Sequence, residues 1–180
     1  LEHAGDGVPV LLLCSTGLDS RQWNDLLPML GNRRVICLHY LCYPMTDSWT
    51  GEGEIDSSLD YDAAEALLLN QREPIDIIAH SYGGFIALRL AKKHPDRIRR
   101  IAIHEPTVWG CLQHTNKDEL KNEFGEVVET FFTEGLQTEE FLQDFVDYWN
   151  VIGAWELMPE HRKQMWRNLQ PKMLSEVRLL

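Results

Sequence analysis

A serine flanked by small residues at the end of an apolar run is the feature of this 180-residue chain best suited to chemistry. Ile75-Asp76-Ile77-Ile78-Ala79 leads into His80-Ser81-Tyr82-Gly83-Gly84. A sharp strand-to-helix turn presses its two elements together, so the positions two before and two after such a serine must be small. Ala79 and Gly83 meet that need. The turn lifts Ser81 Oγ clear of a sheet and sets it at a helix N-terminus, where the dipole favours developing negative charge. The backbone N–H of Tyr82 is then placed to donate to the oxyanion of a tetrahedral intermediate. The chemistry implied is attack on a carbonyl, and a serine hydroxyl near pH 7 needs a base to take its proton.

The surrounding pattern supplies the strand and the helix. Apolar runs at 10–13, 35–38, 75–79 and 98–103 read as strands buried on both faces. Between them lie helical patterns at 20–30 (Trp23, Leu26, Leu27 and Leu30 on one face), 61–70 (Ala64, Leu67 and Leu68 inward) and 83–93. Gly31-Asn32 stops the first helix and His94-Pro95 the last, while 44–58 reads as loop. This alternation predicts an α/β fold: a parallel sheet with helices on both faces, joined by right-handed crossovers. After Pro106 the strands stop. Leu120, Phe124, Val127, Val128 and Phe131 repeat at helical spacing behind Thr115-Asn116, and Phe141, Leu142, Phe145, Val146 and Trp149 behind Thr138. Further helices are expected from Pro159 and after Pro171. Two parts follow, an α/β core over 1–106 and a helical part over 107–180. Ten acidic side chains against Lys117 and Lys121 between Asn116 and Asp147 read as a solvated outer face.

Composition excludes several classes. At 44% hydrophobic, 25% charged and 9% aromatic, the chain can bury a core and is no disordered segment. No apolar run is long enough to span a bilayer, so no membrane partner is expected. A formal charge of −11 repels phosphate backbones and argues against nucleic acid. Cys14, Cys37, Cys42 and Cys111 lack zinc-site spacing and read as reduced thiols of a cytoplasmic protein, Cys14 as an inert buried one. There is no GxGxxG or GxxxxGK[ST] after any strand, which removes nucleotide-binding folds; Gly51-Glu52-Gly53 is loop. Leu1 stands where an initiator Met would be, and the helical pattern at Val177-Arg178-Leu179-Leu180 runs to the last residue. The expectation is a large part of a longer protein.

On these motifs the chain resembles the alpha/beta-hydrolase superfamily, in particular its lidded esterase and carbon–carbon-bond hydrolase type. Pro9-Val10-Leu11-Leu12-Leu13 is similar to the strand before that family's oxyanion loop, and Ser20-Arg21-Gln22-Trp23 with Leu26 and Leu27 to the helix after it. Ala79–Gly84 and Ala91-Lys92-Lys93-His94-Pro95-Asp96-Arg97-Ile98 resemble the elbow and the following helix. The resemblance implies that the helical part is a cap over the active site and that the Thr16 N–H is the second oxyanion donor. Two loops depart from the family pattern. Cys14-Ser15 replace the usual His-Gly, placing side chains where backbone should approach a substrate oxygen. His39-Tyr40-Leu41-Cys42-Tyr43-Pro44 replaces Asp-x-x-Gly-x-Gly, so Cys42 and Pro44 stand for glycines.

In the family the serine is followed by an acid and then a histidine, on strands beyond the cap. Within this chain Glu105, ending the fourth strand, and His114 are the candidate acid and base. Otherwise Glu105 is a loop carboxylate, His114 a surface residue, and the true pair lies downstream of residue 180. His80 reads as a packing neighbour of the serine. A metal shared by His39, His80 and His104 is not expected, because His39 and His80 fall two strands apart, about 10 Å, so neither metal nor cofactor is assigned. Trp109, Trp149, Trp155 and Trp166 read chiefly as core, with Trp109 and Trp149 as candidates for a substrate-facing wall. Two functions compete: a serine hydrolase acting on a small ester or related carbonyl compound through an acyl-enzyme, and an inactive member of the fold that only binds a small ligand. A fourth strand lacking a neighbour would also be an edge suited to self-association.

Overall fold

The computed structural model describes residues 2–3, 5–114, 117–122, 125 and 138–180. The chain divides into two compact units, Leu1–Thr107 and Val108–Leu180. The first holds a five-stranded sheet: β1 (Glu2–His3), β2 (Gly7–Leu13), β3 (Arg33–Leu38), β4 (Ile75–His80) and β5 (Ile98–His104). The spatial order is β1-β3-β2-β4-β5, with β1 antiparallel to β3 and all other pairs parallel. Val10, Leu11, Leu12 and Leu13 are wholly buried because β2 lies between β3 and β4. The two-residue β1 has no hydrophobic periodicity to announce it. Among the described residues β5 pairs only with β4.

Two helices complete this unit, α1 (Ser58–Leu69) and α2 (Tyr82–Lys93). Tyr82, Ile86, Ala87 and Leu90 bury one stripe of α2, which packs on β2, β4 and β5. In α1 the buried positions are Asp60, Tyr61, Ala64 and Leu68. Glu65 of α1 accepts from Lys93 Nζ at 2.8 Å and pairs with His94 Nε2 at 2.7 Å, and the Lys93 ammonium is the main reason its carboxyl is held down to about 2. At the amino ends of the strands Asp76 of β4 pairs with Arg33 of β3 and accepts from Arg99 Nε of β5 at 2.7 Å. These charged contacts tie three strands together below the site.

The helix expected over 20–30 is instead two 3₁₀ turns, Ser20–Trp23 and Leu27–Leu30. Pro28 has no N–H to continue an α-helical ladder, and Leu26 N and Met29 N bond three residues back, to Trp23 O and Leu26 O. Trp23 is buried as expected, whereas Leu26, Leu27 and Leu30 are only half-buried.

In the second unit the 3₁₀ segment Trp109–His114 precedes α3 (Glu139–Trp149), α4 (Ala154–Leu157) and α5 (Glu160–Val177). Thr138 and Pro159 occupy the N-cap positions of α3 and α5, close to where the sequence set those helix starts. The short α4 is held by Asp147, whose carboxylate accepts from Trp155 N and Gly153 N at 2.8 Å each, bonds that lower its pKa. Of the helix expected over Leu120–Phe131, residues 118–122 and 125 are helical and the rest lie outside the described residues. No separate helix follows Pro171: α5 runs through it, at the cost of one backbone donor. One turn beyond, the buried pair Lys172–Glu176 (3.1 Å) keeps α5 continuous with a charge-assisted contact at i,i+4.

Candidate active site

Ser81 joins β4 to α2 with φ 52° and ψ −116°, a left-handed conformation that non-glycine residues adopt only under constraint. The constraint is visible on both sides of it. Ser81 N donates to His104 O at 3.0 Å, while Ser81 O accepts from Gly84 N at 2.8 Å and Phe85 N at 3.2 Å, opening α2. Gly83 N donates to Cys14 O at 3.0 Å, drawing the helix against the end of β2. A Cβ on Gly83 would lie 2.4 Å from Leu13 O and 2.7 Å from Cys14 O, so glycine is the residue this approach permits. Ala79 is buried on the strand side. The small-residue spacing in the sequence thus has a direct steric cause.

The ring of Tyr82 anchors its own backbone. It is buried, meets Tyr40 edge-on with centroids 5.3 Å apart, and its hydroxyl lies 3.1 Å from both Ser57 O and Asp60 Oδ2. Asp60, itself buried, also accepts from Leu41 N at 3.2 Å. The loop after β2 is pinned by the neighbouring tyrosines. Tyr40 Oη donates to Cys14 O at 3.0 Å, and Gly17 N donates to Tyr43 Oη at 2.6 Å. Ser15 N donates to Gln22 Oε1 at 3.1 Å. The amides on either side of Thr16 are therefore engaged, and among the described residues no hydrogen bond takes the Thr16 N–H.

The departures from the family pattern are accommodated. Cys14 is buried and accepts from Trp23 Nε1 at 3.3 Å, with Cys37 Sγ 3.9 Å away. Burial and the Cys37 contact push the Cys14 thiol far above its ordinary pKa, so it is held as a thiol. Cys42 keeps a left-handed turn at φ 66° where the resemblance expects a glycine. Cys42 therefore carries a positive φ that residues other than glycine rarely adopt.

The remaining candidates divide. Glu105, also left-handed at φ 43°, is exposed, its Oε2 4.0 Å from His104 Nδ1. His80 faces His104 with ring centroids 5.1 Å apart, and burial lowers the pKa of His80, helped by His104. His114 ends the 3₁₀ segment of the other unit and is exposed. His39 stands apart from His80, because β2 lies between their strands. Its two ring nitrogens are buried without partners, burial lowers its pKa, and it lines a cleft of about 1100 Å³ with Asp6, Arg34, Gln71 and Glu73. None of the predicted catalytic residues lines that cleft. Trp109 and Trp149 lie 6.4 Å apart, and Trp149 also meets Phe145 and Tyr148 at 6.4 and 5.0 Å. Trp155 is buried.

One residue at the site escaped the sequence reading. Thr107, buried, places Oγ1 3.0 Å from Ser81 Oγ. Only the in-register pairing of β4 with β5, His80 opposite His104, brings the segment after β5 to the serine. No local spacing signals it.

The family model described as alpha/beta hydrolase fold matches residues 9–150. The chain belongs to the alpha/beta hydrolase fold family. Among its relatives, 2-hydroxymuconate semialdehyde hydrolase of Pseudomonas sp. (strain CF600) is 29% identical over 108 residues, covering 57% of this chain and 38% of that protein. Pimeloyl-[acyl-carrier protein] methyl ester esterase of Aeromonas hydrophila is 28% identical over 101 residues, 56% of this chain and 39% of the relative. The crystal structure of a haloalkane dehalogenase from Agrobacterium tumefaciens C58 superposes with a TM-score of 0.66 at 21% identity, covering 97% of this chain and 61% of that one. The chain thus spans about two fifths of the length of the two sequence relatives. The Ser81 turn and the loops after β2 and β3 fall within the matched residues.

Proposed function

We propose that the protein is a serine hydrolase acting on a small ester or related carbonyl substrate. The observation that carries this reading is Ser81, a non-glycine residue held at φ 52° between a buried strand and a helix N-terminus. Ser81 Oγ attacks the carbonyl carbon while its proton passes to a histidine. The oxyanion that forms accepts from the N–H groups of Tyr82 and Thr16. Collapse expels the alcohol, which leaves with the proton from the histidine, and water attacks the acyl-enzyme by the reverse route to release the acid. We assign the histidine and its carboxylate partner to the part of the relatives' length this chain does not span, with Glu105 and His114 as the candidates within it.

Trp109 and Trp149 give the helical unit an aromatic pair suited to an apolar acyl group. The ester-directed and semialdehyde-directed names of the two relatives support a carbonyl substrate. Four free cysteines support a cytoplasmic setting. No helix among the described residues is long and apolar enough to cross a membrane.

A second reading, a ligand-binding member without turnover, is favoured by one contact: the partner of Ser81 Oγ is the Thr107 hydroxyl and not an imidazole. A fluorophosphonate probe separates the two. Covalent labelling that Ser81→Ala abolishes supports the hydrolase, and reversible ligand binding with no labelling supports the binding protein.

A further inference from the structure

The sheet places two imidazoles and a carboxylate beside the elbow, and the proposed hydrolysis uses neither imidazole and Glu105 only as a candidate acid. His80 and His104 are directly paired across β4 and β5, and residues at one level of a parallel pair project to the same face. Their rings lie 5.1 Å apart, and one donor atom from each, with a carboxylate oxygen of Glu105, all fall within 4.8 Å of one another. Among the described residues no hydrogen bond fixes either imidazole.

We propose that His80, His104 and Glu105 form a binding site for a divalent transition-metal ion of the zinc type. Two imidazoles and one carboxylate are a ligand set of open zinc centres, which leave a fourth position to water. Bonds of about 2.0–2.2 Å set tetrahedral donors roughly 3.4 Å apart. Reaching that value requires side-chain rotation of His104 and Glu105, whose side chains are 72% and 69% exposed. His80 is the fixed member, half-buried at the end of β4. His39, the third histidine near a strand end, is excluded because β2 intervenes. The two imidazole donors take no part in the proposed hydrolysis, and Glu105, its candidate acid, is the one group shared with it.

The test is a Zn²⁺ titration of the chain against a chromophoric chelator at pH 7.5, with Co²⁺ as a spectroscopic probe of ligand type. The expected result is one equivalent bound. His80→Ala, His104→Ala and Glu105→Gln should each weaken it by at least about tenfold, the scale on which even outer partners of metal ligands act. His161→Ala, at an exposed position of α5, should leave it unchanged. Binding should weaken at pH 5.5, because protons compete with a metal for its ligands. Since His104 is exposed, His104→Ala decides the matter even if His80→Ala does not fold. No binding, binding that His104→Ala leaves intact, or equal loss with His161→Ala overturns the site.

Discussion

The elbow after β4 and the loops after β2 and β3 face the same task of holding backbone in a constrained shape, and they do so by different physics. At the elbow the constraint is exclusion: Gly83 sits against Leu13 O and Cys14 O with no room for a methyl group. At the other two loops it is attachment. Tyr40 holds Cys14 O, Tyr43 holds Gly17 N, and Cys42 tolerates φ 66°. Exclusion admits one residue type, so the elbow keeps its family spelling. Attachment admits many, which is consistent with Cys14-Ser15 and Cys42 standing where the resemblance leads to His-Gly and a glycine.

The comparison can be broken at its stiffest point first. Gly83→Ala should cost about 3 kcal/mol, the upper range for overpacking, or prevent folding. Urea denaturation monitored by tryptophan fluorescence measures it, and a loss below about 1 kcal/mol would mean that β2 and α2 can separate without penalty. Tyr43→Phe should cost less, about 2 kcal/mol, because it strands the buried Gly17 N–H. If the same titration finds Tyr43→Phe neutral, hydrogen bonding is not what holds the oxyanion loop. Cys42→Gly sharpens the contrast in the opposite direction. Relief of the left-handed strain should stabilise the chain by about 1 kcal/mol, and a destabilised variant would show that the Cys42 side chain supplies contacts worth more than its strain.

The smallest effect lies at the other end of the strands. The guanidinium groups of Arg99 and Arg33 hold the Asp76 carboxyl below its ordinary pKa against the opposing effect of burial. Its contribution is therefore complete above the unfolded value of about 3.9 and is lost as pH falls through the lower native value. Both arginines are partly exposed, so the amount is under about 1 kcal/mol. Asp76→Asn should flatten the stability profile below pH 4 and leave its shape near neutrality unchanged. A profile as steep as that of the unaltered chain would place the acid sensitivity elsewhere.

What the sequence disclosed follows the same division. The four parallel strands and α2 were legible because buried apolar runs and the Ala79–Gly83 spacing answer to packing, which composition must obey. The 20–30 segment misled because its helical spacing of Trp23, Leu26 and Leu30 outweighed Pro28, whose missing N–H breaks the ladder into 3₁₀ turns. At Pro171 the same signal misled in reverse: one lost bond in an 18-residue helix did not end it. Thr107 and the His80–His104 pairing were invisible, because both depend on the register of β4 against β5 and not on any local spacing.

In the proposed mechanism Ser81 is the nucleophile, and its reactivity is the most direct test of the account. The measurement is the intact mass of the protein, and of its Ser81→Ala and Thr107→Ala variants, after exposure to a fluorophosphonate. The account predicts one adduct on the protein, located at Ser81 by peptide mapping, none on Ser81→Ala, and an adduct retained on Thr107→Ala. An unmodified protein, or an adduct that persists in Ser81→Ala, would contradict it.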